Sequence, residues 1–403
     1  MDIIADIRAD TGMPQAERTY QRTHPWISFE VRLQEASPTL WMSLGEAGST
    51  CEHIAGVPLR PETAQLLHRV YMAKGVWATT AIEGNTLSEA EVLEHLQGQL
   101  KLPPSKEYLA KEVDNVVTAC NFVWESCARG QPPAVTVDLV KDFNRRVLDG
   151  LSAEDDVVPG QVRSHSVGVG RYRGAPAEDC EYLLGRLCDW LNEPALAPQP
   201  GREIPTAILR AIIAHLYLAW IHPFGDGNGR TARLVEFLIL VCAGVPTPTG
   251  HLLSNHYNDT RIEYYRHLDR ASRANDVLGF IHYAVTGFVE QLRQQLQVIR
   301  QQQYHVAWQN YVHERFHDRD TGADQRRRRL LLDLSERDGP VRMNEIPNLS
   351  PKVAGYYGRR SAKTLARDLR ELQAMELVVF EENGYRAKKE LVLAFLPFTV
   401  RAG

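Results

Sequence analysis

The six cysteines of this 403-residue chain (Cys51, Cys120, Cys127, Cys180, Cys188 and Cys242) are scattered, without one Cys-x-x-Cys pair. That spacing excludes a zinc ribbon and a disulfide scaffold, and it fits free thiols in a reduced compartment. Long hydrophobic runs are also scarce. Stretches such as Leu234 to Val245 are too short to cross a bilayer and are flanked by charge, and residues 1–12 are too acidic for a signal peptide. The expectation is a soluble, cytoplasmic protein with no membrane partner. No internal repeat occurs, and the one compositional bias is the glutamine-bearing stretch QLRQQLQVIRQQQYHVAWQNY, which reads as a solvated linking helix.

With 44% apolar residues, the chain has enough apolar content to give two or three units a core each. Its net charge of −4 is unevenly spread. From Arg326 to Gly403 there are 16 Lys+Arg against 10 Asp+Glu, a balance of +6, which leaves about −10 for the rest. Helical periodicity dominates the pattern. RPETAQLLHRVYMAKGVWATTAIEG predicts a helix begun by Pro61 and ended at Gly84 and Asn85, with a new N-cap between Thr86 and Glu91. Helices are further expected over 105–127, 136–151 and 178–191, ahead of residue 222, and from Ile262 to about Tyr311. HPWISFEVRL reads as a short strand or extended arm, and HDRDTGADQ as a break.

The chemistry concentrates in HPFGDGNGR, residues 222–230, a polar loop set between the apolar runs AILRAIIAHLYLAWI and TARLVEFLILVCAGV. Gly225, Gly227 and Gly229 allow consecutive N–H groups to converge on an anion, and the helix starting near Gly229 adds its positive end. Asp226 would be repelled by a bare phosphate, but a shared Mg²⁺ resolves the conflict. Arg230 and Arg233, three apart, can both clamp phosphate oxygens. His222 has the one side chain here suited to take a proton near neutrality. Phe224 is expected in the core. The loop reads as a Mg²⁺-nucleotide site.

HPFGDGNGRTAR resembles the signature of the Fic family of nucleotidyl transferases, His-x-Phe-x-Asp/Glu-Gly-Asn-Gly-Arg-x-x-Arg, with every specified position filled. The resemblance implies that His222 is the base and Asp226 the Mg²⁺ ligand. It makes Gly227, Asn228 and Gly229 the phosphate nest, Arg230 a phosphate contact and Arg233 the γ-phosphate contact. It implies transfer of AMP from ATP to a Ser, Thr or Tyr hydroxyl of a target protein, with pyrophosphate released. TTAIEGN is similar to the family's inhibitory motif, filled here by Thr79, Glu83 and Gly84. Glu83 would pair with Arg233 and occupy the place of a γ-phosphate. In some family members the same glutamate supports AMP removal, so a dual activity stays open.

VVPGQVRSHSVGVGRYRGAP shifts from helical period to alternation and is expected as a β-hairpin. Its Ser166, Val167, Gly168, Val169 and Gly170 fall where the family has a flap that holds the target by strand addition; an ordinary hairpin is the alternative. RIEYYRHL resembles a segment near the adenine pocket, which makes Tyr264 and Tyr265 candidate nucleotide contacts.

The basic C-terminal segment reads as helix, helix, basic helix and hairpin, and it resembles a winged helix-turn-helix. Ala362, Leu365, Ala366, Leu369, Leu372 and Met375 form one apolar face behind an N-cap at Ser361, while Arg359, Arg360, Lys363, Arg367 and Arg370 fall largely elsewhere. Asn383-Gly384 signals a type I′ turn. DNA and a docked protein both remain candidate partners of this unit, and a homodimer stays open. The expected architecture is mainly α, the Fic helical fold with a β-hairpin flap plus the winged helix. Residues 1–105 carry the inhibitory helix, 106–295 the catalytic core, 296–325 a linking helix and loop, and 326–403 the winged helix. The expected function is a self-inhibited protein adenylyltransferase. The alternative is a DNA-binding regulator that uses the Fic unit as a nucleotide sensor; the intact His222 and Asp226 argue against it, since a sensor needs no base.

Overall fold

The computed structural model describes residues 7–8, 17–151, 156–169 and 172–393. The chain divides into two units, Met1–Leu296 and Gln297–Gly403. In the first unit a short antiparallel pair, β1 (Ile7–Arg8) and β2 (Glu30–Val31), accompanies helices α1 (Thr19–Thr23), α2 (Pro38–Gly56), α3 (Pro61–Ile82), α4 (Glu89–Leu96), α5 (Glu107–Ala128) and α6 (Val137–Val147). A hairpin of β3 (Gly168–Val169) and β4 (Tyr172–Arg173) leads into α7 (Ala177–Leu191), α8 (Glu203–Ile221), α9 (Asn228–Cys242), α10 (Leu252–Asp259), α11 (Arg261–Arg273) and α12 (Val277–Arg315).

The apolar runs on either side of the polar loop become α8 and α9, packed on each other at the centre. Helix α8 has a mean hydropathy of 1.6 and is long and apolar enough to cross a membrane by composition, which the sequence reading overlooked; in the fold it is a core helix, 83% buried. Around this pair, α3 packs on α5, α9 and α10, so the helix expected to carry the inhibitory motif is part of the same body as the loop. Two helices of eight residues or more escaped the sequence reading, as did the five-residue α1. In α2 the small residues blunt the apolar period because Gly48 packs closely on Pro205 of α8; the signal that could have found it is Ser37, whose hydroxyl accepts from Leu40 N–H at 3.3 Å, followed by Pro38. Short α10 is the other. The expected single pattern from Ile262 is two helices, interrupted around Asn275, whose φ is 53°.

The cysteines depart from expectation at one place. Cys51, Cys120, Cys180 and Cys188 are free and buried, but Cys127 and Cys242 form a disulfide with Cα atoms 5.6 Å apart. These residues stand 115 apart in sequence, and only the packing of α5 on α9 brings their C-terminal ends together.

The second unit contains the end of α12, then α13 (Gly322–Ser335), α14 (Pro351–Tyr357), α15 (Ala362–Ala374) and the antiparallel pair β5 (Val378–Glu381) and β6 (Gly384–Ala387). The stretch read as a solvated linker contributes the fully buried Trp308, with Val312 and Phe316 just beyond it, to this unit's core. Helix α13 begins inside the expected break, capped by Thr321. Two of the arginines counted as a basic helix start are structural: Arg326 and Arg327 both bond the fully buried Asp368, at 2.7 and 2.9 Å, and Tyr357 donates to the same carboxylate at 3.0 Å. Ser361 stands at the N-cap of α15 without a side-chain cap bond. The hairpin turn lies one residue earlier than expected. Glu381 pairs with Gly384, so Glu382 and Asn383, with φ of 48° and 64°, make the turn. Gly384 is instead held by close approach: any side chain there would press on Pro340 and Val341, where Val341 bridges to Tyr385.

Candidate active site

His222 ends α8 in the left-handed region, φ 50° and ψ 59°. Its Nδ1 faces the Ala219 carbonyl at 3.4 Å, which leaves Nε2 as the nitrogen available to a ligand. Burial, reinforced by Arg163 and opposed by the Ala219 carbonyl, Glu83 and Asp226, pushes the imidazole down to about 4, so it is neutral at physiological pH. Four residues on, Asn228 closes the loop: its amide accepts from Phe224 N–H at 2.9 Å and donates to Phe224 C=O at 2.8 Å, with Phe224 itself buried. Gly227, at φ 75°, makes the turn that Asn228 braces. Helix α9 then starts with Thr231 N–H bonding Gly227 C=O, so the N–H groups of Asn228, Gly229 and Arg230 precede the first helical acceptor and form a positive helix end.

That end is already occupied by a carboxylate. Glu83 caps α3, and its Oε1 accepts from Arg233 Nη2 at 2.5 Å; the same nitrogen donates to Thr79 C=O at 2.9 Å. Thr79 thus enters through its main chain. Gly84 follows at φ 101° and ends the helix. The Glu83 carboxylate lies against Gly229, where any side chain would overlap it. Burial acts to raise the Glu83 carboxyl, but the charge and hydrogen bond of Arg233, with Arg230 and His222, hold it below the usual carboxylate range. Arg233 is 2% exposed, and among the described residues its Nε and Nη1 have no partner. A buried guanidinium with two unused donors is costly unless a further anion is accommodated.

Glu83, His222, Gly229 and Arg233 share one cavity of about 570 Å³, walled by Ile82, Tyr264 and Tyr265 among others. The two tyrosines have different places. Tyr264 is 4% exposed, stacks on Tyr257 at 4.8 Å, and its hydroxyl is 2.8 Å from His215 Nε2. Tyr265 is 40% exposed. Asp226 is half exposed; its carboxylate takes Gly227 N–H at 2.5 Å and Arg230 Nη2 at 3.2 Å to each oxygen. Arg230, expected on phosphate, is absent from the cavity lining and is committed to Asp226 and, at 3.5 Å, to Glu112. The expected flap has strand character at Gly168 and Val169; Val167 C=O accepts from Gly174 N–H at 3.1 Å, Ser166 lines a neighbouring cavity of about 500 Å³, and Gly170 lies outside the described residues.

Residues 134–240 match the Fic/DOC family. That segment, which carries the signature loop and most of α9, is similar to a Fic domain. The protein adenylyltransferase fic-1 of Caenorhabditis briggsae is 33% identical over 234 residues, which cover 56% of this chain and 43% of that protein. Its namesake in Caenorhabditis elegans is 34% identical over 209 residues, covering 52% of this chain and 38% of that protein. The match spans less than half the length of either relative. Among solved structures, the C. elegans Fic-1 fragment is 26% identical with a TM-score of 0.54, covering 65% of this chain and 73% of that one. A Fic family protein from Desulfovibrio desulfuricans G20, 21% identical with a TM-score of 0.52 over 87% of this chain and 96% of its own, shares the fold.

Around the cavity lie further polar residues that the sequence did not single out. Glu112 of α5 accepts from Asn85 Nδ2 at 2.7 Å and faces Arg230, so the end of the Glu83 helix, the α9 start and Asp226 are joined by one polar chain. Arg261 donates to Ile82 C=O at 2.7 Å, a cation at the C-terminus of α3. Beneath the cavity, His215 lies between Tyr264 and the buried Glu236, its Nδ1 3.1 Å from Glu236 Oε2. Each of these partners comes from a separate stretch of chain, and none carries a local signal beyond its own charge.

Proposed function

We propose that the protein is a self-inhibited protein adenylyltransferase. A Ser, Thr or Tyr hydroxyl of a target protein gives its proton to His222 Nε2, its oxygen bonds to the α-phosphorus of ATP, and the bond to the β-phosphate oxygen breaks, releasing pyrophosphate. The observation that carries this reading is that a neutral histidine, a buried arginine with unused donors and the N-terminus of α9 face one cavity large enough for a nucleotide. The names of the curated relatives support the same reaction.

Mg²⁺ fits this donor set only as a shared ion. Among the described residues no group of three His, Cys, Asp or Glu could hold a metal. Asp226 offers one fixed, half-exposed carboxylate, which suits an ion that takes its other ligands from phosphate and water and neutralises phosphate charge. Tyr265 is the better placed of the two tyrosines to meet the nucleoside, and the β3–β4 edge the better placed element to receive the target strand.

The test is the position of the label. In the Glu83→Gly protein, ATP labelled at the α-phosphorus should mark protein, whereas ATP labelled at the γ-phosphorus should not. Labelling from the γ-position would replace this reading with phosphoryl transfer.

A second reading concerns the C-terminal unit, which we take as a winged helix that binds DNA. On α15, Lys363, Arg367 and Arg370 are exposed at helical spacing, next to exposed Arg359 and Arg360. Affinity for a mixed-sequence duplex should fall steeply with salt, and Arg367→Ala should flatten the log–log slope by about one. Binding that is absent or insensitive to salt would favour protein docking.

A further inference from the structure

Arg163 stands at the base of the β3–β4 hairpin, is 5% exposed, and spends its guanidinium on main-chain carbonyls. Its Nε donates to His222 C=O at 2.7 Å. Its Nη1 donates to His165 C=O at 2.5 Å, and its Nη2 to Ala175 C=O at 2.5 Å, with Ile221 C=O at 3.5 Å. The main chain adds a bond from Arg163 N–H to Pro223 C=O at 3.0 Å. One side thus holds Ile221, His222 and Pro223, where α8 turns into the signature loop. The other holds His165 and Ala175, the two flanks of the hairpin. Gly174 makes the closure possible, since a side chain there would strike both the Arg163 guanidinium and His222.

A buried guanidinium held only by carbonyls is an expensive way to fill a core. Its planar fork, however, fixes two segments at set angles, which an ammonium cannot do. The segment it fixes contains a left-handed, non-glycine residue that would relax if released. We propose that Arg163 is a positioning residue for the transfer reaction, locking the His222 main chain to the hairpin so that the base and the target's hydroxyl share one frame. This inference rests on the adenylyl-transfer reading. The hairpin is independently anchored by Tyr172, whose hydroxyl donates to Trp220 C=O at 2.7 Å, and by His24, whose Nε2 is 3.0 Å from Arg173 C=O. Loss of Arg163 should therefore loosen the alignment without removing the hairpin.

The charge acts in the same direction. The groups facing His222 are Arg163, which disfavours protonation, and Glu83 and Asp226, which favour it. Removing Arg163 raises the imidazole from its value of about 4.

The experiment compares Arg163→Met and Arg163→Lys in the Glu83→Gly full-length protein. It follows label transfer from α-labelled ATP, ATP binding by calorimetry, and the His222 imidazole by NMR titration. Arg163→Met should bind ATP within about twofold of its parent, transfer about 10²-fold more slowly, and titrate at higher pH. Arg163→Lys should keep the titration but not recover the rate, because it restores the charge and not the fork. Unchanged transfer in either variant overturns the proposal, as does a loss of rate matched by an equal loss of ATP binding with the titration unmoved. If Arg163→Met does not fold, the Lys variant carries the test through its rate. The titration needs no turnover. A parent that transfers no label would sink the adenylyl-transfer reading, while a shifted titration would still place Arg163 on His222.

Discussion

Glu83→Gly is expected to raise transfer of the α-phosphoryl label about ten- to a hundredfold, the factor matching the roughly 1.5–3 kcal/mol of a hydrogen bond to a charged group. On the proposed reading the competition is direct. In the structure Glu83 Oε1 holds Arg233 Nη2 at 2.5 Å and lies against Gly229, so it occupies both the cation and the helix end that a terminal phosphate would use. On the proposed reading, freeing them should let ATP bind with its phosphates along α9. The same change has a cost in the absence of nucleotide. Arg233 is buried and would lose the carboxylate that pairs with it, so the ATP-free variant should melt below wild type, and ATP with Mg²⁺ should recover more stability in the variant than in wild type. Glu83→Gln, which keeps the shape and drops the charge, should fall between. Acid should not substitute for the mutation. The carboxyl is held below its ordinary range, so the pair is intact at neutral pH and is lost only as pH falls through that lowered value, where His222 is itself becoming protonated. Transfer by Glu83→Gly no faster than wild type, with ATP binding intact in both, would remove Glu83 as the lock.

The parts of this site that were legible beforehand are those written contiguously. His222, Asp226, Gly227 to Arg230 and Arg233 lie within twelve positions, and a helix–loop–helix junction leaves them little freedom about where to point. Glu83 was legible because it ends a strongly periodic helix beside Gly84. Residues whose partners are far along the chain were not. Glu112 meets Arg230 at a separation of 118 residues, and Arg163 reaches His222 across 59. No period or spacing encodes such meetings; they arise from how α5, α8 and α9 pack. The same limit explains Cys127 and Cys242, read as free thiols from spacing alone. Arg230, expected on phosphate, pairs here with Asp226 and Glu112, and the second of these partners could not be read from the signature. The C-terminal charge balance gave a total and not a location: Arg326 and Arg327 share the buried Asp368, while Lys363, Arg367 and Arg370 of α15 are exposed.

His222→Ala, made in the Glu83→Gly background so that activity is measurable, is expected to reduce transfer about 10²- to 10⁴-fold, the range of a general base. ATP affinity should stay within about twofold, because the groups assigned to phosphate are Arg233 and the α9 N-terminus, and the imidazole makes no hydrogen bond with either. The pH profile supplies the sign. With a value of about 4, His222 is already the neutral, proton-accepting form at pH 7, so transfer should be level across the neutral range and fall only as pH drops toward 4. An unperturbed histidine would instead lose activity near pH 6.5. Stability moves the same way. Between about 6.5 and 4 the unfolded chain protonates this histidine and the folded chain does not, so folding weakens as pH falls through that window, and His222→Ala should remove that contribution. A variant that still transfers label at the parent's rate would exclude His222 as the base. A loss of rate accompanied by an equal loss of ATP binding would make it a binding residue, leaving proton removal to another group in the cavity.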